Sequence, residues 1–269
     1  MNSVIIDFLN KILVKIHEKT EILTENSFIL SNIDNILFFF ICVSLITSIF
    51  TGNAYTALLL CIVSVLFGLM LLLKKEVLFG FNKSTFCLFL YFLTAIISTV
   101  NSTMPHQSLT GVSKTVLYLL FFIAVTNYLK IHREKIKFLA ALIAMCVSFE
   151  VVIAFIQNYT DVLSIATWQD TSKLNPELVL TRVFGTLKPS NPNLLGGYLV
   201  AAAPFVWLTA ALNFVEKKKT EFIIFSVFSV LTISAIFMTG CRGAYLALFV
   251  MLLALAAAVY QICKFHFFH

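Results

Sequence analysis

Charge is what this chain has least of: Asp, Glu, Lys and Arg together make 12% of its 269 residues, where a soluble domain carries about 25%. That shortage excludes a water-soluble globule, because too few polar side chains remain to coat one. Paired cysteines are missing as well. Cys42, Cys61, Cys87, Cys146, Cys241 and Cys263 include no CxxC, and most fall inside apolar runs, so they read as small apolar fillers with no metal and no disulfide framework. The N-terminal "MNSVIIDFLNKILVKIHEK" lacks both a long apolar core and a small-residue cleavage site, which excludes a secretory signal. Low-complexity segments and convincing internal repeats are also absent, so inverted-repeat transporter architecture has no support in the pattern. The net charge of +6 calls for no nucleic acid, since an excess of lysine on one membrane face accounts for it.

What is present is apolar length. Hydrophobic residues reach 60%, with 28 phenylalanines and a mean hydropathy of +0.96. Against the about 20 residues a membrane span needs, eight runs stand out, at 36–50, 54–73, 84–100, 111–129, 138–158, 194–214, 222–238 and 244–262. The first is short and is separated from the second only by "TGN", so half of a re-entrant pair is an alternative there. The expected fold is therefore an all-α polytopic membrane protein of about eight transmembrane helices. Residues 1–33 form a cytoplasmic amphipathic segment, 34–262 the transmembrane domain with one sizeable outer loop at 159–193, and 263–269 a cytoplasmic tail. In the first segment Ile5, Phe8, Leu9, Ile12 and Ile16 recur at helical spacing opposite Asp7, Lys11, Lys15 and Lys19. That pattern suits a helix lying on the bilayer surface or packed on the spans. Both termini are placed in the cytoplasm by the positive charges. Lys74, Lys75, Lys83, Lys130, Arg133, Lys135, Lys137, Lys217, Lys218, Lys219 and Lys264 then join the N-terminal lysines inside. Only Lys114, Lys173, Arg182, Lys188 and Arg242 fall outside.

The outer loop carries Trp168, Leu174, Leu178, Val183 and Phe184, too much apolar surface for a floppy linker, and is expected to fold back on the membrane as a short interfacial helix. It ends in "TRVFGTLKPSNPNLLGGYL", 181–199. Pro189 and Pro192 stiffen this approach, and Asn191 or Asn193 can cap the helix that follows. A helix N-terminus at the outer face attracts anions, with Arg182 and Lys188 just upstream. On the same face "FMTGCRGAYLAL", 237–248, sets Arg242 in a hairpin turn between Gly240 and Gly243, which let the flanking helices approach. An arginine fork can grip a phosphate through two hydrogen bonds. Anion binding and plain anchoring of arginines to lipid headgroups are the two readings of that pattern.

The pair "RVFGTLKPSNPNLLGGYL" and "TGCRGAYLAL" resembles the paired signature of the O-antigen ligase and polymerase superfamily. In that family an arginine-bearing outer loop runs into an NPN-type helix start, and a T-x-S-R-G turn follows one span later. The resemblance covers residues 182–248; Cys241 stands where serine is usual. The wording is also close to a cyanobacterial branch named for inorganic carbon transport. The resemblance implies glycosyl transfer at the outer face of the bacterial inner membrane, from an undecaprenyl diphosphate-linked glycan to a sugar or protein acceptor. It implies that Arg182 and Arg242 hold the diphosphate and stabilise its developing charge without a metal or other cofactor, beside Asn191, Asn193 and Lys188. The family's later histidine-bearing outer loop is not in this sequence, so no residue is assigned as catalytic. A truncated enzyme, or one half of a split enzyme with a companion chain, is expected on that ground.

Four other positions complete the reading. Glu150, inside the fifth span, is expected to face the bundle and meet Arg242, Arg182 or Lys114. Lys114 otherwise snorkels to the surface. His106 reads as a polar loop histidine, and His266 and His269 have helical spacing at the end of the sequence. The alternatives from other classes are a small-anion, bicarbonate-like transporter using Glu150, and a non-catalytic remnant or subunit.

Overall fold

The computed structural model describes residues 10–15, 27–73, 83–160 and 182–267, and among these every regular element is a helix. After helical residues 10–15 and a single turn at Phe28–Ser31 come α1 (Ile33–Thr47), α2 (Asn53–Leu73), α3 (Lys83–Val100) and α4 (Pro105–Ile131). They are followed by α5 (Lys135–Tyr159), α6 (Pro192–Val215), α7 (Lys219–Met238) and α8 (Arg242–Phe267). Six of these, α2 through α7, are long and apolar enough to cross a membrane; α1 and the apolar stretch Arg242–Ala257 of α8 are shorter. This is the make-up of a multi-pass membrane protein. Ile5, Phe8, Leu9 and Ile16 of the expected surface helix lie outside the described residues. So do most of the outer loop, including Trp168, Lys173, Leu174 and Leu178, and also Lys74, Lys75 and His269.

Several helices begin earlier than the apolar runs suggest. The fourth starts at Pro105, where the fixed φ of proline suits the first turn and its missing N–H costs nothing. His106 therefore sits exposed in the first turn of α4 and is not a loop histidine. The fifth starts at Lys135 and the sixth at Pro192, each ahead of its apolar run. Inside the spans, serine and threonine hydroxyls turn back onto carbonyls four residues earlier, as in Ser44 to Phe40, Thr126 to Phe122, Ser148 to Ala144 and Thr232 to Phe228. No polar partner from another helix is then needed.

The chain divides into two compact units, residues 1–136 and 137–269. In the first, α2 packs on α1 and α4, and α3 on α4. Its buried face is a helical stripe, Ile33, Leu37, Ile41 and Ser44 on α1, with Val63, Phe67 and Met70 on α2. Tyr128 of α4 is fully buried, stacks on Phe38 at 5.9 Å and donates to the Asp34 carbonyl, which sets the end of α4 beside the start of α1.

In the second unit α6 packs on α7, and α8 on both. Small residues line the contacts, including Ala202, Ala203 and Ala210 of α6 and Ala235 of α7, all buried. Helix α5 runs antiparallel to α6. Lys137, near its start, bonds at 2.7 Å to Glu216, just past the end of α6. Lys218 reaches the same carboxylate at 2.8 Å. The hydrogen bond from Lys137, and then that from Lys218, hold the Glu216 carboxyl down to about 2. The second unit thus has a lysine end at 216–219, and its opposite end is built around Arg182 and Arg242.

Candidate functional site

The arginine end is assembled from three elements: residues 182–191, the first turn of α6, and the 239–242 turn between α7 and α8. Backbone joins the first to the third, because the Val183 N–H donates to the Met238 carbonyl at 3.3 Å. Arg182 completes the link. Its Nε–H donates to the Thr239 carbonyl and its Nη2 to Asn193 Oδ1, both at 2.7 Å. The guanidinium lies across Gly240, where an added Cβ would fall 2.9 Å from Arg182 Nε. Gly240 also has φ +61°, a conformation that residues with a Cβ resist, so glycine serves both the turn and the arginine.

Arg242 follows two residues later as the exposed first residue of α8. Arg182 and Arg242 are therefore gathered at one turn. They differ in commitment: Arg182 spends two of its about five N–H donors on the fold, while Arg242 has no acceptor among the described residues. Lys188 and Asn193 are both exposed. With its oxygen taken by Arg182, the Asn193 amide nitrogen is left without an acceptor among the described residues.

The start of α6 departs from expectation. Asn191 is its cap, accepting the Asn193 N–H at 2.8 Å on its side chain and the Leu194 and Leu195 N–H groups on its carbonyl. Pro192 has no N–H to offer. The first-turn amides of α6 are thus used internally, and an anion there would meet the helix dipole and the Asn193 side chain, not free N–H groups. The open amides belong to α8. Among the described residues the N–H groups of Arg242, Gly243 and Ala244 have no acceptor, whereas Cys241 N–H reaches Thr239 Oγ1 at 3.3 Å and Tyr245 N–H the Cys241 carbonyl. At the position where the resembled family has serine, Cys241 is bonded through its backbone N–H and carbonyl.

Glu150 is fully buried, and its partner among the described residues is neutral. The carboxyl accepts the Thr186 N–H at 2.9 Å and also the Thr186 hydroxyl. Neither Arg182 nor Arg242 pairs with it; both are held at or near the 239–242 turn. Lys114 is exposed on α4. Neutral donors satisfy the buried acid without the further cost of desolvating a positive charge.

Residues that the sequence reading missed hold the loop in place. Gln157, two turns beyond Glu150 on the same face of α5, accepts the N–H groups of Phe184 and Gly185 at 3.0 and 2.9 Å and donates to the Gly185 carbonyl at 3.1 Å. Gly185 has φ +66°, and a Cβ there would land on Glu150 Oε2 and 2.9 Å from Leu195. The available signal was two polar residues seven apart in an apolar helix, which share a face. A third glycine is also informative. At Gly196 a Cβ would come within 3.0 Å of both Cys241 and Thr239, so α6 and the 239–242 turn approach there, while Gly243 has open space around it. The close approach expected of Gly243 is made by Gly196 instead. No family model matches this chain, and no match to it was found among curated proteins or solved structures.

Proposed function

We propose that this chain is an O-antigen ligase-like membrane protein with about eight spans. In this reading both termini are cytoplasmic, in the inner membrane of a bacterium, and the protein handles a glycan on undecaprenyl diphosphate at the outer face. The observation that carries the reading is the meeting of Arg182, Asn193 and Arg242 at the 239–242 turn, where the two resembled motifs touch. Spare guanidinium donors, the Asn193 amide, Lys188 and the first N–H groups of α8 offer a diphosphate several charge-assisted hydrogen bonds without a metal. Arg242 supplies the freer fork; Arg182, braced on Thr239, supplies a fixed one. Such donors favour the state in which negative charge grows on the leaving diphosphate. The acceptor would be a lipid A core sugar, another repeat unit or a protein side chain.

The test is transfer of glycan from undecaprenyl diphosphate to a core acceptor in membranes carrying this chain. Arg182→Ala and Arg242→Ala should each abolish transfer while insertion stays normal. Transfer that survives both substitutions overturns the reading. Proteoliposome uptake of bicarbonate sensitive to Glu150→Gln would favour the transporter alternative, in which Glu150 must be more than a loop anchor.

A further inference from the structure

The lysine end of the second unit holds a cavity of about 650 Å³ at the turn joining α6 and α7. Phe214, Val215, Phe222 and Ile223 line it together with Lys217, Lys218 and Lys219. Phe214, Val215 and Ile223 are exposed at 65%, 75% and 59%, far more than residues inside a packed bundle. The Phe214 and Phe222 rings sit 5.2 Å apart and hold the wall together. An apolar hollow under a cluster of cations, at the end of two helices of membrane-crossing length, has the polarity of a phospholipid turned inside out.

The three lysines are not equivalent. Lys218 is committed to Glu216 at 2.8 Å, whereas Lys217 and Lys219 have no carboxylate partner among the described residues. Lys217 also occupies an unusual backbone position, with φ +58°. The Lys218 N–H bonds to the Asn213 carbonyl and the Lys217 N–H to the Phe214 carbonyl, the paired closure that ends a helix with its penultimate residue left-handed. Glycine is the residue that suits this place; a lysine here strains the backbone. Backbone geometry alone does not favour lysine at 217.

We propose that the α6–α7 turn binds an anionic phospholipid, its phosphate held by Lys217 and Lys219 and an acyl chain lying against Phe214, Val215 and Ile223. The site is at the opposite end of the unit from Arg182 and Arg242, so it is independent of the function proposed above.

Native mass spectrometry of the full chain in detergent, with phosphatidylglycerol or phosphatidylcholine of matched chains added, tests this. Phosphatidylglycerol should be retained preferentially, and inorganic phosphate should not displace it. Lys217→Gly and Lys219→Gln should each weaken retention about fivefold, the worth of one surface lysine toward an anionic lipid. Lys217→Gly should do so without lowering the melting temperature, because it relieves the backbone. The double variant Lys83→Gln/Lys130→Gln removes two charges elsewhere, one more than either single variant, and should leave retention unchanged. Equal retention of both lipids, displacement by phosphate, or an equal loss in the control pair would each overturn the proposal.

Discussion

Glu150 and Arg182 show how much one side chain commits the surrounding chain. Glu150 anchors residues 184–186 through Thr186, and Gln157 grips the same stretch one step earlier. Glu150→Leu removes the acceptor of the Thr186 N–H, at a cost of about 1–3 kcal/mol. Thermal unfolding in detergent should register that loss, with Gln157→Leu similar and Gly185→Ala at least as severe, since its Cβ has no room beside Glu150. An unchanged melting temperature in Gly185→Ala would contradict the packing described here. Gly240→Ala should act differently: it displaces the Arg182 side chain and so should impair any anion binding more than it impairs folding. The presence of Glu150 in the bundle was legible, because an acid in an apolar helix is too costly to leave facing lipid. Its partner was not. A buried carboxyl can be satisfied by a cation or by neutral donors, and nothing local to Glu150 says that Thr186 stands opposite.

At the scale of elements, six of the apolar runs fall on helices long enough to cross a membrane and two on shorter apolar stretches, but several beginnings were misplaced. Polar first turns such as Pro105–Thr110 and Lys135–Lys137 add nothing to a hydropathy run, yet they are helical, the first of them opened by a proline at its start. The start of α6 was legible in type, since Asn followed by Pro signals a cap. Its consequence was hidden, because only the fold shows that Asn191 consumes the amides that an anion would need. Asn191→Ala should therefore destabilise α6 by about 1 kcal/mol, read as a lower melting temperature. At the other end of α6, Glu216 offers a pH test. Its carboxyl is depressed to about 2 from 4.5, so the ion pairs with Lys137 and Lys218 contribute fully above 4.5 and fade as pH falls toward 2. The melting-temperature difference between wild type and Glu216→Gln should be flat above 4.5 and should shrink below it. The difference will be small, since the group is exposed and screened. A difference that grows on acidification would contradict the assignment.

For the whole molecule, the separation of the second unit into a lysine end and an arginine end is the feature that composition and charge could supply unaided. The basic residues alternate along the chain with the spans, and Lys137 and Glu216 meet as two ends on one side of a membrane would. A reporter active only outside the cytoplasm should therefore be on when fused near Leu178 and off near Lys218. The reverse pattern would move the arginine cluster to the cytoplasm and discard the glycan reading. What the linear sequence could not supply is the junction of the two motifs. The bond from Arg182 to the Thr239 carbonyl spans 57 positions and ends on backbone, which carries no residue-type signature.

The most direct measurement is the affinity of the purified chain for undecaprenyl diphosphate against undecaprenol, for wild type, Arg182→Ala and Arg242→Ala. Hydrogen bonds to charged groups are each worth about 1.5–3 kcal/mol, so the diphosphate should bind at least about tenfold tighter, and each substitution should erase most of that preference. Equal affinity for the two lipids, or a diphosphate preference untouched by either substitution, would contradict the account.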